Sequence, residues 1–326
     1  MKTNFAILAG FLVAISLNAQ TNAPTAPLTA GEPVPMPGTS GGFDFIRVDT
    51  ANDRLICGHE GNKTFDVVDL AAKKFLKAVP TGTSQDGAFN PKRNEYYVSG
   101  NDPGRMVIVD AKTLAVTGEV PLPAASDIIG FNPDTGLVHE CNDTAAEQWL
   151  IDPVAKKIVA TIKFDGKNLE DMAFDAKKKL MYQAVKGSNI IGVVDLASNN
   201  IIASWPLAPD KGPHGIAFVP EFNDLLVACA SNLVMVNCSS GKVVATAPIG
   251  ARTDEMAYDA DLHRAYCATR QHKISVIQIS ADKLAPLPDV ADENAGDIAV
   301  DPKTHTVWVA YDKGGQCFAQ PFTANK

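Results

Sequence analysis

Short apolar runs broken by turn residues recur along almost the whole chain. The copy at 212–250 is the clearest. It reads Gly-Pro-His-Gly-Ile-Ala-Phe-Val-Pro, a polar break between Glu221 and Asp224, then Leu-Leu-Val-Ala-Cys-Ala. A turn at Ser231 and Asn232 follows, then Leu-Val-Met-Val-Asn and Gly-Lys-Val-Val-Ala-Thr-Ala-Pro-Ile-Gly. Four such runs in about forty positions predict a four-stranded antiparallel meander.

Two markers repeat in phase. The first ends the first strand of each copy: Asp49, Asn90, Asn132, Asp175, Val219 (the exception), Asp259 and Asp301. Proline follows it at Pro91, Pro133, Pro220 and Pro302, the chemistry of a tight turn. The second ends the third strand: Asp69, Asp110, Asp152, Asp195, Asn237, Gln278 and Gln320. Both sets read as turn caps rather than catalytic carboxylates. They march together at 40–44 residues over seven copies, which predicts the blades of one repeat domain.

The last copy, 296–322, has three strands and lacks a fourth. Residues 32–37, Glu-Pro-Val-Pro-Met-Pro, resemble the fourth-strand endings at 78–81 and 119–122. Their prolines suit only an outer edge strand. Pairing this segment with the last copy closes the ring and removes its open edges. The fold expected is therefore all-β: a seven-bladed β-propeller of four-stranded antiparallel blades, ring closed by an N-terminal outer strand. It is a single domain over 31–326, preceded by a Pro/Thr/Ala-rich linker at 20–30.

Residues 1–19 read as a secretory signal peptide. Lys2 gives the positive start, 5–17 is an apolar run too short to span a bilayer comfortably, and Ala19 offers the cleavage site. The mature chain is expected to be exported, periplasmic or extracellular, monomeric and without a membrane span.

Composition narrows the function classes. A net charge of −8 lacks the basic footprint that phosphate backbones require, so nucleic-acid binding is not expected. The sign suits a small cationic ligand, a metal ion or a basic segment of a protein partner. The six cysteines form no C-x-x-C pair, which leaves zinc-ribbon and haem-attachment readings unsupported. Cys141 and Cys229 share a strand position that holds Gly58, Ser99, Ala184, Ala268 and Ala310 in other copies, so a small hydrophobe suffices there. A turn at Ser231 and Asn232 sets Cys229 opposite Val234, which argues against a bridge to Cys238. The chain also contains no G-x-S-x-G, H-E-x-x-H, P-loop or G-x-G-x-x-G sequence. Three tryptophans do not make a repeated docking pattern of the quinoprotein kind.

At 94–99 (Asn-Glu-Tyr-Tyr-Val-Ser), 193–195 (Val-Val-Asp), 215–218 (Gly-Ile-Ala-Phe) and 242–246 (Lys-Val-Val-Ala-Thr) the repeat resembles the YVTN-type β-propeller repeat of exported bacterial and archaeal proteins. The resemblance covers 31–322, although the Tyr-Val-Thr-Asn tetrapeptide occurs nowhere intact. It implies the fold and says little of activity, since propellers host binding, scaffold and enzyme roles.

In a meander the segment before strand one and the loop between strands two and three lie at the same end. That end is the expected functional face. Four residues before the first marker stand Phe45, Asp86, Ile128, Asp171, Gly215, Glu255 and Asp297; five before stand Asp44, Gln85, Asp127, Glu170, His214, Asp254 and Gly296. Six copies thus carry a carboxylate at the channel mouth and the seventh carries His214. Arg47 stands two residues before the marker where other copies have Ala88, Gly130, Ala173, Ala217, Ala257 and Ala299. Strand alternation sets it on the face of the fourth position, where it can pair with a carboxylate or anchor an anionic group.

Asp44, Arg47, Asp86, Asp127, Asp171, His214, Glu255 and Asp297 are the ligand-binding candidates. Asp86, Asp171, His214 and Asp297 form the candidate set for a divalent metal ion. The leading expectation is an exported binding or scaffold propeller with an acidic mouth. The alternative is a metal-dependent lactonase or lyase similar to gluconolactonase-type and streptogramin-lyase-type propellers, with His214 or His59 moving a proton. His139 and His263 fall beside other strands and receive no role.

Overall fold

The structure, a computed structural model, describes residues 26–38 and 41–325. Within them seven antiparallel sheets follow one another, five of four strands and two of five. The blades span 43–80, 84–121, 126–163, 169–206, 216–248, 256–291 and 297–324. Inner strands of consecutive blades touch in order, and Asp297–Asp301 of the last touches Phe43–Asp49 of the first, so the ring closes. The expected all-β seven-bladed propeller is the observed fold.

The closing strand is where the sequence places it, with one correction. Val34–Met36 pairs with the third strand of the last blade, Gln316–Ala324, in the register Val34 to Ala319 and Met36 to Cys317. Pro35 is exposed, as an edge proline must be. The linker expected at 20–30 is overturned at its end. Leu28–Ala30 is a second outer strand on the same partner, with Leu28 facing Ala324. Gln316–Ala324 runs nine residues, long enough to hold both segments end to end. Leu28 is buried beside Phe322, so the propeller takes in the chain from Leu28 rather than from residue 31. The expected signal peptide at 1–19 and the linker stretch 20–25 lie outside the described residues.

The core lies between blades. At the seam of last and first blades Val34, Met36, Phe43, Trp308 and Cys317 form one buried cluster. Each such side chain contributes about 1.5–3 kcal/mol by leaving water, so the seam is held by apolar burial as well as by strand pairing.

The turn reading holds in detail. Oδ1 of Asp49 accepts the Ala51 and Asn52 amides, and those of Asn90, Asn132, Asp175, Asp259 and Asp301 act likewise in their turns. At the second marker Asp69, Asp110, Asp152, Asp195 and Asn237 do the same. Gln278 and Gln320 depart: their side-chain amides donate to backbone carbonyls of Leu262 and Gly31. One register differs from expectation. The hairpin of the fifth blade turns at Ala230 and Ser231, with Cys229 N–H donating to Asn232, so Val234 faces Val227 rather than Cys229. All six cysteines are buried.

One irregularity builds the mouth. In the first four blades the inner strand carries an extra residue relative to its partner, between Phe43 and Ile46, Ser84 and Gly87, Ser126 and Ile129, and Leu169 and Met172. These bulges contain the fifth and fourth positions before the marker. In the fifth and sixth blades the ladder begins after those positions, at Ile216 and Met256. A bulge breaks strict alternation and re-aims two successive side chains.

Candidate functional site

The two acidic positions separate into two layers with different work. The fourth-position carboxylates of the even blades are staples between blades. Asp86 accepts the amides of Gly87 at 2.7 Å and of Ile129, in the next blade, at 3.2 Å. Asp171 accepts Met172 at 2.9 Å and Ile216 of the next blade at 3.3 Å. Glu255 accepts Ile298 at 2.8 Å and Ile46 at 3.3 Å, which ties the sixth, seventh and first blades. The donors are backbone amides of inner strands, so each of these carboxylates accepts from the backbone of the blade that follows it.

Arg47 locks this layer. Its Nε and Nη2 meet the two oxygens of Asp86 at 2.9 Å each, and Nη2 also meets Asp171 Oδ1 at 3.0 Å. The guanidinium therefore joins the first, second and fourth blades across the axis. Burial works against its charge, but Asp86 and Asp171 outweigh that and raise its pKa further. Burial likewise pushes Asp171 and Glu255 upward, with Arg47 opposing. Pairing with carboxylates fits this geometry better than anchoring an anionic group, because the Arg47 fork is already filled.

The fifth-position layer stands above and faces the mouth. Asp44, Asp127 and Asp254 are partly exposed, Glu170 and His214 are largely buried. Burial, then the charges of Asp86, Glu60 and Asp254, raise Asp44 to about 8. Burial and then Asp44, Glu170 and Asp143 hold Asp127 well above the usual range. Burial raises Glu170 to about 7 although Lys186 opposes it. Burial is the larger cause in each case and the neighbouring carboxyls add to it, so these groups hold their protons above the usual carboxylate range.

Cations enter from one side. Lys186 Nζ lies 3.0 Å from Glu170 Oε1 and 2.7 Å from His214 Nε2. His214 Nε2 is also 3.2 Å from Glu170 Oε2 and 3.7 Å from Asp254 Oδ1. Burial and Lys186 lower the His214 pKa to about 4, so the ring is neutral and Nε2 accepts from the ammonium. Arg270 pairs with Asp254 and stands 3.8 Å from Asp297 Oδ1. The glycine at 296 makes room for it: a Cβ there would fall 2.3 Å from Arg270 Nε. Asp297 itself is buried and pushed well upward by that burial.

The candidate metal set is not brought together. Asp86 and Asp171 are spent on Arg47 and backbone amides, His214 sits with Lys186 and Glu170, and Asp297 faces Arg270. Among the described residues no three of His, Cys, Asp and Glu are grouped to hold a metal ion. His59 is corrected as well. It is fully buried, stacked on Phe43 at 4.0 Å, with Nδ1 on Asp66 at 2.7 Å and Nε2 3.7 Å from Cys317. It ends the strand Arg54–His59, and the seam between the first and last blades takes its ring inward, away from the proton-transfer role expected of it.

Sequence reasoning named the fifth-position residues and left Glu170 and Asp254 off the binding set, and it did not join Lys186 and Arg270 to them. The signal for the first two was the repeat position itself. The Arg270–Gly296 fit is long-range and has no local mark. The channel wall below Arg47 was also missed: Val48, Phe89, Phe131 and Phe174 line a space of about 260 Å³. They occupy one repeat position, immediately before the marker, which also holds Phe218, Tyr258 and Val300.

No protein-family profile matches the sequence, and no curated protein matches it. Solved structures do. The chain is similar to one titled Kuenenia stuttgartiensis Hydrazine Synthase, with TM-score 0.77, 13% identity, and 87% of this chain and 96% of that one covered. It is equally similar to a chain in a structure titled Crystal Structure of Mitotic Checkpoint Complex, with TM-score 0.77, 12% identity, and 99% and 100% covered. At such identities the likeness establishes the propeller fold alone.

Proposed function

We propose that this protein is an exported, monomeric binding propeller of the YVTN-repeat type, and that its acidic mouth holds the cationic group of a small ligand or of a partner's basic segment. The observation that carries the reading is the fifth-position ring. Asp44, Asp127, Glu170 and Asp254 share one opening, while its cations, Lys186 and Arg270, stand only on the side of the fourth to sixth blades. Asp44 and Asp127 have no ion pair among the described residues, and Arg270 acts on Asp44 only without contact, so an incoming ammonium meets two carboxyls that no cation touches. An organic cation fits better than a metal ion, because the ring offers dispersed oxygens and no three-ligand group. For the same reason the metal-dependent lactonase or lyase reading finds no support, and the neutral, lysine-bound His214 is poorly placed to act as a base. Export rests on residues 1–19, and the propeller fold, common among binding scaffolds, is compatible with it.

The test is calorimetric titration with spermidine at pH 8 and low salt. Binding that weakens as salt rises and is lost in the Asp44→Asn, Asp127→Asn double variant supports the reading. Equal binding by that variant sinks it. N-terminal sequencing of the mature protein, expected to begin at Gln20, tests the address.

A further inference from the structure

Below Arg47 the channel is hollow and its wall is aromatic. Arg47, Val48, Phe89, Phe131 and Phe174 line one space of about 260 Å³. The repeat accounts for both features. Two residues before the first marker every copy except the first has alanine or glycine, so Arg47 alone is large at that position and the axis beneath it stays open. One residue before the marker stand Phe89, Phe131, Phe174, Phe218 and Tyr258, each only half-buried.

The wall is preformed. Phe89 packs on Tyr96 with ring centroids 5.4 Å apart, Phe131 on Tyr97 at 5.7 Å and Phe174 on His139 at 5.4 Å. The three supporting rings are buried, so they hold the phenylalanines from behind. An apolar cavity of about 150 Å³ is enough to take one benzene ring. The channel space is larger and has room for a substituted ring.

The polar end of the space has a defined chemistry. Arg47 commits Nε and Nη2 to Asp86 and Asp171, while its Nη1 makes no hydrogen bond among the described residues. The carboxylates have no such surplus. The oxygens of Asp86 also accept the Gly87 and Ile129 amides, and those of Asp171 the Met172 and Ile216 amides. What is left over is a donor, which calls for an acceptor on the ligand. One guanidinium against two carboxyl groups leaves no positive charge to spare, so a neutral acceptor suits this place better than an anion.

We infer that the channel below Arg47 is a second binding site, distinct from the acidic mouth, for a small neutral aromatic molecule. Its ring lies against Phe89, Phe131 and Phe174, and its carbonyl oxygen accepts from Arg47 Nη1. Entry is from the end of the channel away from the mouth, because Arg47 and its carboxylates span the axis above. The site stands independently of the cationic-group reading.

The experiment compares acetophenone, ethylbenzene and benzoate by calorimetry at pH 7.5. The three are of similar size and carry a neutral acceptor, no acceptor and a negative charge. Acetophenone is expected to bind about tenfold tighter than either, the worth of one hydrogen bond to a charged donor. Val48→Phe installs the residue that four other copies carry at that position, so the fold accommodates it. It narrows the space and should weaken acetophenone about tenfold with the Tm unchanged. Ethylbenzene or benzoate binding as tightly as acetophenone overturns the inference, and so does no binding by acetophenone. A stable Val48→Phe protein with full affinity overturns it as well. Crystals soaked with 4-bromoacetophenone locate the ligand without any variant: bromine in the channel below Arg47 is expected, and ligand bound only elsewhere refutes the site. The Asp44→Asn, Asp127→Asn double variant should keep its acetophenone affinity, and a loss there would contradict two separate sites.

Discussion

Replacing Arg47 by methionine should destabilise the ring by about 3 kcal/mol at pH 7.5. The variant keeps most of the stem and removes the fork that joins Asp86 and Asp171. Those carboxylates are 0% and 4% exposed, so they stay buried without their cation. Removing one partner of a buried pair costs about 3–5 kcal/mol. The Arg47 side chain is 32% exposed, and solvent screening brings the figure to the lower end. For about 300 ordered residues the unfolding entropy is about 0.6 kcal/mol per kelvin, so the Tm falls by about 5 °C. Burial already raises Asp171 against the opposition of Arg47, so without that cation its carboxyl takes up a proton as pH drops and the deficit should shrink by pH 5.5. Adding Asp86→Asn to Arg47→Met should recover part of it at pH 7.5. Urea unfolding followed by tryptophan fluorescence measures all three. A loss below about 1 kcal/mol, or one independent of pH, would refute the stapling role of Arg47.

Three further outcomes follow from the same charges and seams. Asp44 and Glu170 are raised to about 8 and about 7, whereas the unfolded chain titrates near 4. Between about pH 5 and pH 8 the folded state therefore holds more protons than the unfolded one, and stability must fall as pH rises; a Tm that rises across that window contradicts this. Asp44→Asn should raise the Tm at pH 8, because it removes a repelled charge that folding alone does not need; a lowered Tm would assign Asp44 a structural role. Deleting residues 1–37 removes the outer strands that bury Leu28, Val34 and Met36, a loss of about 6 kcal/mol plus an unpaired edge. Size-exclusion chromatography should show aggregation, and a monodisperse monomer would argue against N-terminal ring closure.

What the sequence carried was what repeats. Turn caps such as Asp49 and Asp110 announce themselves because each turn needs an acceptor at the same place. The closing segment showed itself through a missing fourth strand and through prolines that only an edge tolerates. The second outer strand, Leu28–Ala30, carried no comparable mark: three residues beside prolines look like linker until a nine-residue partner is there to receive them.

At the mouth, repeat position identified the acidic residues but not their division of labour. Alternation set Arg47 on the face of the fourth position, and the structure pairs it with Asp86 and Asp171 there although bulges interrupt the alternation. Bulges at 43–46, 84–87, 126–129 and 169–172 then turned neighbours such as Glu170 and Asp171 to separate tasks, one to the mouth and one to a backbone amide. A one-residue insertion in register leaves no trace in composition. His59 is held inward by Phe43 and Asp66 of its own blade and by Cys317, 258 residues away, and that last contact no local pattern reports.

The central claim is that the fifth-position ring binds a cationic group. Its most direct test is a crystal structure of the protein soaked with 1,4-diaminobutane at pH 8. The account predicts an amine nitrogen within hydrogen-bonding distance of Asp44 or Asp127, inside the mouth and above Arg47. Diamine bound elsewhere with an empty mouth, or a mouth in which Asp44 and Asp127 turn away from it, would contradict the account.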